Sequence, residues 1–288
     1  MVVGTEVENA MQRRLATLTL PWTWAVNLVL PPECAWCLEP IADDQRLCSA
    51  CTRVFEVARS CCHRCAMPLP EVVDQSDCIR CRDQGWQFER VIALGPYQGR
   101  LREAIILMKK PAFEPLANAA GELLAVKLLG AWQELQGAHQ RQSATVSDQL
   151  PEVIIPVPNH WTRRLAHRTS AAESLAMAVA DTLRRPLRAG AVRRLRATRK
   201  QGMLAWSNRQ ANVRQAFRVT QPRQVAGKHV LLVDDVFTSG ATAAELTRCL
   251  LRAGASRISV AVAARGTGTR DQPSLPIATT EQPANATT

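Results

Sequence analysis

The chain lacks the two commonest phosphate-binding signatures: it has no Gly-x-x-x-x-Gly-Lys-Ser/Thr loop and no strand followed by three spaced glycines. Walker A and Rossmann modes of nucleotide binding are thereby excluded. It also lacks an apolar run long enough to span a membrane, which takes about 20 residues. The apolar stretch from Leu15 to Leu30 follows Arg13-Arg14 as in a signal peptide, but Pro21 interrupts it and no small-x-small cleavage site follows. Residues 1–30 therefore read as an apolar lead-in helix packed on the body of a cytoplasmic protein, with peripheral membrane contact as the alternative. No internal repeat is present outside the cysteine knuckles described below.

Acidic residues are missing from one long stretch. Between Arg184 and Lys228 there are thirteen Lys or Arg and no Asp or Glu. The whole chain is basic, with Lys+Arg 36 against Asp+Glu 25. Such a stretch is either a solvated face or an attractor for an anionic ligand or nucleic acid. Its nucleic-acid candidates are Arg193, Arg194, Arg196, Arg199 and Lys200 for charge, and Trp206 for base stacking. The segment 267–288 is rich in Thr, Pro, Gln and Ala, buries little, and is predicted to be disordered.

What is present is most specific at "HVLLVDDVFTSGAT", residues 229–242. His229 to Val233 reads as a buried strand, apolar and β-branched. Leu246, Cys249, Leu250 and Ala253 then recur at helical spacing, with Gly254 as the stop. Ile258 to Ala264 reads as a second buried strand. The result is a βαβ unit with its loop at the carboxyl end of the first strand, where open parallel sheets bind ligands. Asp234 and Asp235 repel each other and resist desolvation, so a polar or cationic group should meet them. Thr238, Ser239, Gly240, Ala241 and Thr242 lie at the helix N-terminus, where backbone N–H groups, hydroxyls and the helix dipole favour a phosphate. Adjacent carboxylates suit a vicinal diol or Mg²⁺. A ribose 5-phosphate satisfies both halves.

Of the ten cysteines, eight fall into four Cys-x2-Cys knuckles: Cys34/Cys37, Cys48/Cys51, Cys62/Cys65 and Cys78/Cys81. A two-residue spacer lets both thiolates reach one tetrahedral ion, so the four knuckles predict two structural Zn²⁺ sites. Disulfides would need an oxidising compartment. The knuckles can pair sequentially, as a double zinc ribbon, or interleave. Cys61 and His63 adjoin the second site and could substitute for a ligand there; otherwise Cys61 reads as a spare thiol and His63 as an exposed neighbour. Cys249 reads as packing on a helix face.

A chain of 288 residues accommodates one sizeable α/β domain and a smaller module. Between the knuckles and the Asp-Asp loop, Leu116, Ala120, Leu123, Leu124 and Lys127 mark a helix, and Val153 to Val157 a strand. Ala172, Leu175, Ala176, Val179 and Leu183 mark another helix. The predicted organisation is a lead-in (1–30), a double zinc ribbon (31–85), an α/β domain (86–266) and a tail (267–288).

The 229–242 string resembles the binding motif for phosphoribosyl diphosphate (PRPP) of type I phosphoribosyltransferases. Joined to a Cys₄-rich N-terminus, over roughly residues 31–266, it resembles the ComF family. Tyr97, Gly99 and Lys109 in "YQGRLREAIILMKK" match that family's pattern, as does "IIPVPNHWTRRLAHR" (154–168). Arg196, Thr198, Gln201, Arg209, Asn212, Val213 and Phe217 match a third segment. Where the family usually reads Arg-Gly-Phe-Asn-Gln, this chain has Arg168-Thr169-Ser170-Ala171-Ala172.

The resemblance implies a type I phosphoribosyltransferase fold, a parallel sheet flanked by helices, behind the double zinc ribbon. It implies that Asp234 and Asp235 hold the ribose hydroxyls and residues 238–242 the 5-phosphate. Mg²⁺ would bridge diphosphate and ribose oxygens. Lys109, Arg163 and Arg164 become candidate counter-charges for the diphosphate. The basic 190–210 stretch falls where related enzymes close a loop over the site. Two functions follow from the resemblance. One is phosphoribosyl transfer to a nitrogenous acceptor that no residue identifies. The other is a non-catalytic role in single-stranded DNA handling during DNA uptake, with competence proteins as partners.

Overall fold

Val230 to Val233 and Ile258 to Ala264 are apolar at nearly every position, the pattern of strands covered on both faces. The computed structural model describes residues 31–42, 45–56, 60–70, 78–82, 84–138, 150–158, 170–196 and 208–267. Four strands, β1 (Val91–Pro96), β2 (Val153–Pro156), β5 (His229–Phe237) and β6 (Arg257–Arg265), form one sheet in the order β1-β6-β5-β2. All its pairings are parallel. Helices α3 (Gly99–Met108), α4 (Glu114–Ala138), α5 (Ala171–Leu183) and α7 (Ala241–Arg252) flank it. Two short strands, β3 (Val192–Arg194) and β4 (Phe217–Val219), form an antiparallel ribbon around helix α6 (Asn208–Val213). Helices α1 (Ser49–Phe55) and α2 (Ile79–Arg82) belong to the cysteine knuckles.

Period-2 alternation along the strands divides the core in two. Leu231, Val233, Ile154 and Ile92 face one cluster with α3, α4, α5 and the first knuckle pair, including Cys34, Cys51 and Phe55. Val230, Leu232, Val153 and Val260 face the other, with α7 and the second knuckle pair. The β2 edge is covered, because Ile154 N–H donates to the Pro186 carbonyl (3.0 Å) and Arg188 N–H to the Ile154 carbonyl (2.8 Å). Gly121 lets α4 and α5 touch closely: a Cβ there would lie 2.7 Å from both the Leu175 carbonyl oxygen and the Ala178 Cβ.

The helices and strands expected within the described residues form, with one correction at β5. β5 continues four residues beyond Val233, because the ladder persists through Asp234↔Val262, Val236↔Ala264 and Phe237↔Arg265. Asp234 and Asp235 are therefore held within a paired strand and not on a free loop. The segment that departs from the ComF pattern has a local task. Ser170 caps α5: its Oγ accepts from the Glu173 N–H (3.2 Å) while its own N–H donates to Glu173 Oε2 (3.1 Å). Such a capping box is worth about 1 kcal/mol. Cys249 packs half-buried on α7, its Sγ 3.7 Å from the Phe217 carbonyl oxygen. Among the described residues no helix is long and apolar enough to cross a membrane. The lead-in 1–30 and residues 268–288 lie outside the described residues.

Candidate functional site

Two neighbouring carboxylates stand near the carboxyl end of β5, both half-buried. Asp235 N–H donates to Asp234 Oδ1 (2.9 Å), and Val236 N–H donates to Asp235 Oδ1 (2.8 Å). These bonds turn each carboxylate back onto its own strand and fix its rotamer. Lys109, the residue that closes α3, reaches Asp235 Oδ2 at 2.8 Å. Burial and the adjacent Asp235 charge hold the Asp234 carboxyl well above the usual carboxylate range, against the pull of the Asp235 N–H and Lys109. For Lys109, burial opposes the charge, but Asp235 more than offsets it, so the ammonium is held more firmly than usual. Two carboxylates against one ammonium leave the cluster able to take a cation or a diol.

The loop from Phe237 to Gly240 leads directly into α7. Gly240 takes φ +77°, a left-handed conformation that favours glycine. A Cβ on it would also meet Phe237 Cζ and Trp86 Cζ2 at 2.8 Å each. Ala244 N–H closes the first helical bond to the Gly240 carbonyl (2.8 Å), so the amides of 241–243 start the helix and precede that bond. The first turn carries no acidic residue, as suits an anion site. Ser239 is buried, with its Oγ 3.4 Å from the Ala241 nitrogen.

Thus Asp234, Asp235, Lys109 and residues 238–242 belong to one end of the sheet. Arg163 and Arg164 lie outside the described residues, as do Arg199, Lys200 and Trp206. Of the remaining basic candidates, Arg193 is exposed and pairs across the ribbon with Arg218. Arg194 turns inward over the Phe217 ring at 5.4 Å. Arg196 is exposed and donates to the Arg214 carbonyl (2.7 Å). Beside them, Arg214, Arg248, Arg252 and Gln87 line a groove of about 740 Å³ that reaches Ala241 and also holds Glu245, which accepts from Arg248 Nε at 3.0 Å.

The cysteines resolve into sequential sets, Cys34/Cys37/Cys48/Cys51 and Cys62/Cys65/Cys78/Cys81, the sulfurs of each within 4.8 Å of one another. Sulfur pairs stand 3.6 Å apart for Cys37–Cys48 and Cys62–Cys81, and 3.7 Å for Cys65–Cys78. Zn–S bonds of about 2.3 Å in a tetrahedron give edges of about 3.8 Å, so both sets fit Zn²⁺. All the cysteines are unbridged. Cys61 stays apart from the second set, and His63 is exposed.

Two residues at this end of the sheet escaped the sequence reading. Arg265, immediately after the apolar run of β6, is 1% exposed and donates to the backbone carbonyls of Phe237 and Thr238, in the loop that leads into α7. Trp86 backs Gly240. The available signals were a charge ending a buried strand and a tryptophan at the seam between modules.

Residues 25–82 match the double zinc ribbon domain, and residues 169–282 the phosphoribosyl transferase domain. The DNA utilization protein YhgH of Shigella flexneri is 31% identical, over 81% of this chain and 96% of that protein. Competence protein F of Haemophilus influenzae is 27% identical, over 74% of this chain and 88% of that protein. A solved glutamine PRPP amidotransferase from B. subtilis overlaps 55% of this chain and 30% of its own, at 16% identity and a TM-score of 0.34. With a double zinc ribbon, a phosphoribosyltransferase-type α/β domain and relatives matched along nearly their whole length, the chain belongs to the ComF family.

Proposed function

We propose that this chain binds PRPP with Mg²⁺ at the carboxyl end of β5 and transfers the phosphoribosyl group to a nitrogenous acceptor. One observation carries the reading: Asp234 and Asp235 stand in a paired strand that runs straight into a glycine-headed helix N-terminus. The carboxylates accept hydrogen bonds from the ribose hydroxyls. The 5-phosphate sits on the first amides of α7 with the hydroxyls of Thr238, Ser239 and Thr242. The acceptor's nitrogen lone pair forms the bond to C1 as the C1–O bond breaks, and diphosphate leaves with that electron pair. The acceptor's proton passes to solvent. Lys109 leaves Asp235 for the departing diphosphate, whose negative charge it stabilises. Mg²⁺, held beside the ligand by Asp234 and Asp235, would supply further positive charge against the departing diphosphate.

Calorimetric titration of the full chain with PRPP, with and without Mg²⁺, tests this. Asp235→Ala and Thr242→Ala should each weaken binding by about 1–3 kcal/mol, the usual cost of deleting one partner of a charged hydrogen bond. Undetectable binding at millimolar PRPP would overturn it.

A second reading is single-stranded DNA handling. The names of the relatives, DNA utilization protein and Competence protein F, favour it. So does the exposed Arg193–Arg218 pair on the β3–β4 ribbon. The two readings are compatible, since the basic groove adjoins the first turn of α7.

A further inference from the structure

The two cysteine clusters are not equivalent in what they touch. The first packs on the α3–α4 face of the sheet, where Arg46 meets Glu122 at 2.6 Å and Arg100 covers Trp36 at 4.9 Å. The second reaches the loop that leads into α7. Arg265 Nε donates to the Cys65 carbonyl (2.8 Å), and its Nη1 donates to the carbonyls of Phe237 (3.0 Å), Thr238 (2.7 Å) and Gly266. The guanidinium also lies over the Phe237 ring at 4.9 Å. A charge buried this deeply is tolerated only when hydrogen-bonded. Here the carbonyls that satisfy it come from a cluster knuckle on one side and the loop on the other.

A second strut runs beside it. Arg64, inside the Cys62–Cys65 knuckle, donates to the Trp86 carbonyl (2.9 Å). The Trp86 indole stacks on Phe88 at 5.2 Å, meets Phe237 edge-on at 5.7 Å and closes over Gly240. Its buried Nε1 has no hydrogen-bond partner among the described residues. A shift of the knuckle must therefore move Arg265 and Trp86, and both hold the backbone of 237–240.

We propose that metal occupancy of the Cys62/Cys65/Cys78/Cys81 cluster and anion occupancy of the 238–242 loop are energetically coupled through Arg265, with Trp86 as the second strut. The first cluster is uncoupled. This rests on reading 238–242 as the phosphate site. Arg265 is a positioning residue: it acts on the loop, not on a substrate. Coupling between two binding sites is reciprocal, so a bound anion tightens the second cluster's hold on its metal as much as the metal orders the loop.

The full zinc-loaded chain tests this. Cys48→Ser keeps only the second-cluster zinc, and Cys78→Ser only the first. PRPP with Mg²⁺ should slow zinc release to a zinc-selective chromogenic chelator roughly fivefold or more from the Cys48→Ser chain, the lower end of ordinary coupling. It should leave release from the Cys78→Ser chain unchanged. Adding Arg265→Lys to Cys48→Ser should diminish the slowing to what the Trp86 strut alone carries, because one ammonium cannot span carbonyls on both sides. Where PRPP binds, slowing that is absent, equal at both clusters, or undiminished with Arg265→Lys overturns the coupling. A ligand-free measurement separates this from the phosphate reading. Stripping zinc from the Cys48→Ser chain should speed amide exchange across 238–242 at least tenfold while Leu231 to Val233 keep their protection. Unchanged loop exchange overturns the coupling even if PRPP binds. Faster loop exchange in a chain that never binds PRPP sustains the coupling and discards the phosphate reading.

Discussion

Lys109 Nζ and Asp235 Oδ2 stand 2.8 Å apart, joining the last turn of α3 to the carboxyl end of β5. The pair is partly solvated, with the lysine side chain 49% exposed, so its contribution to stability is small. Its meaning is positional: a cation is parked on a carboxylate that a ligand would claim. Lys109→Met should therefore spare folding and weaken PRPP binding roughly ten- to a hundredfold, the range of one charged hydrogen bond. Ribose 5-phosphate, which lacks the diphosphate, should lose far less. Titration of both ligands against both chains checks this, and equal losses would assign Lys109 to the carboxylates alone.

Asp234 makes the site costly to the fold. Its carboxyl is held well above the ordinary range by burial and by Asp235, so the folded chain keeps a proton there that the unfolded chain releases. Stability falls as pH rises from the unfolded value to the folded one, and the deficit is constant above it. Asn at this position keeps the Oδ1 that accepts from the Asp235 N–H (2.9 Å) and removes the charge. Asp234→Asn should raise the melting temperature more at pH 8.5 than at pH 5, while PRPP binding weakens. A lower melting temperature at both pH values would contradict the buried-charge argument.

The clusters predict two zinc ions per chain, and Cys48→Ser should release one while the sheet stays folded. Burial raises the Cys51 and Cys65 thiols and pushes Cys81 up to about 12, while against burial the backbone N–H groups of Cys37, Cys48 and Trp36 hold Cys34 down to about 6. Zinc must then displace protons, so its apparent affinity should fall steeply as pH is lowered. Metal analysis after dialysis across a pH series measures this. A pH-independent stoichiometry down to strongly acid solution would count against thiolate ligation.

Much of this architecture was legible because its signals are local. β5, α7 and β6 follow from apolar runs and helical spacing, and the clusters from four two-residue spacers. The sequential pairing of knuckles needed tertiary packing, since each pair belongs to a different face of the sheet. β3 and β4 were not legible: three-residue strands containing Arg193, Arg194 and Arg218 carry no period. Arg265 was hidden for a different reason. The carbonyls that let it be buried come from Cys65 and Phe237, 200 and 28 residues away in the chain.

The β3–β4 ribbon sets Arg193 directly opposite Arg218, both exposed. Like charges at such a position destabilise a strand pair by roughly 0.2–1 kcal/mol, and an incoming phosphate relieves that repulsion. Single-stranded DNA should therefore bind without marked sequence preference, and its affinity should fall with salt at a log–log slope of about −0.7 per phosphate contact. Arg193→Glu separates charge from fold. It creates an attractive pair with Arg218, so the melting temperature should hold or rise. DNA affinity should drop, and the slope should shrink by about 0.7–1.4, for one cation deleted and one neutralised. Because the groove of Arg214, Arg248 and Arg252 reaches Ala241, PRPP should compete with DNA. Anisotropy titrations of labelled oligonucleotide at several salt concentrations, with and without PRPP, read all of these. A slope unchanged by Arg193→Glu would leave the ribbon as a solvated face, and absence of competition would separate the two anion surfaces.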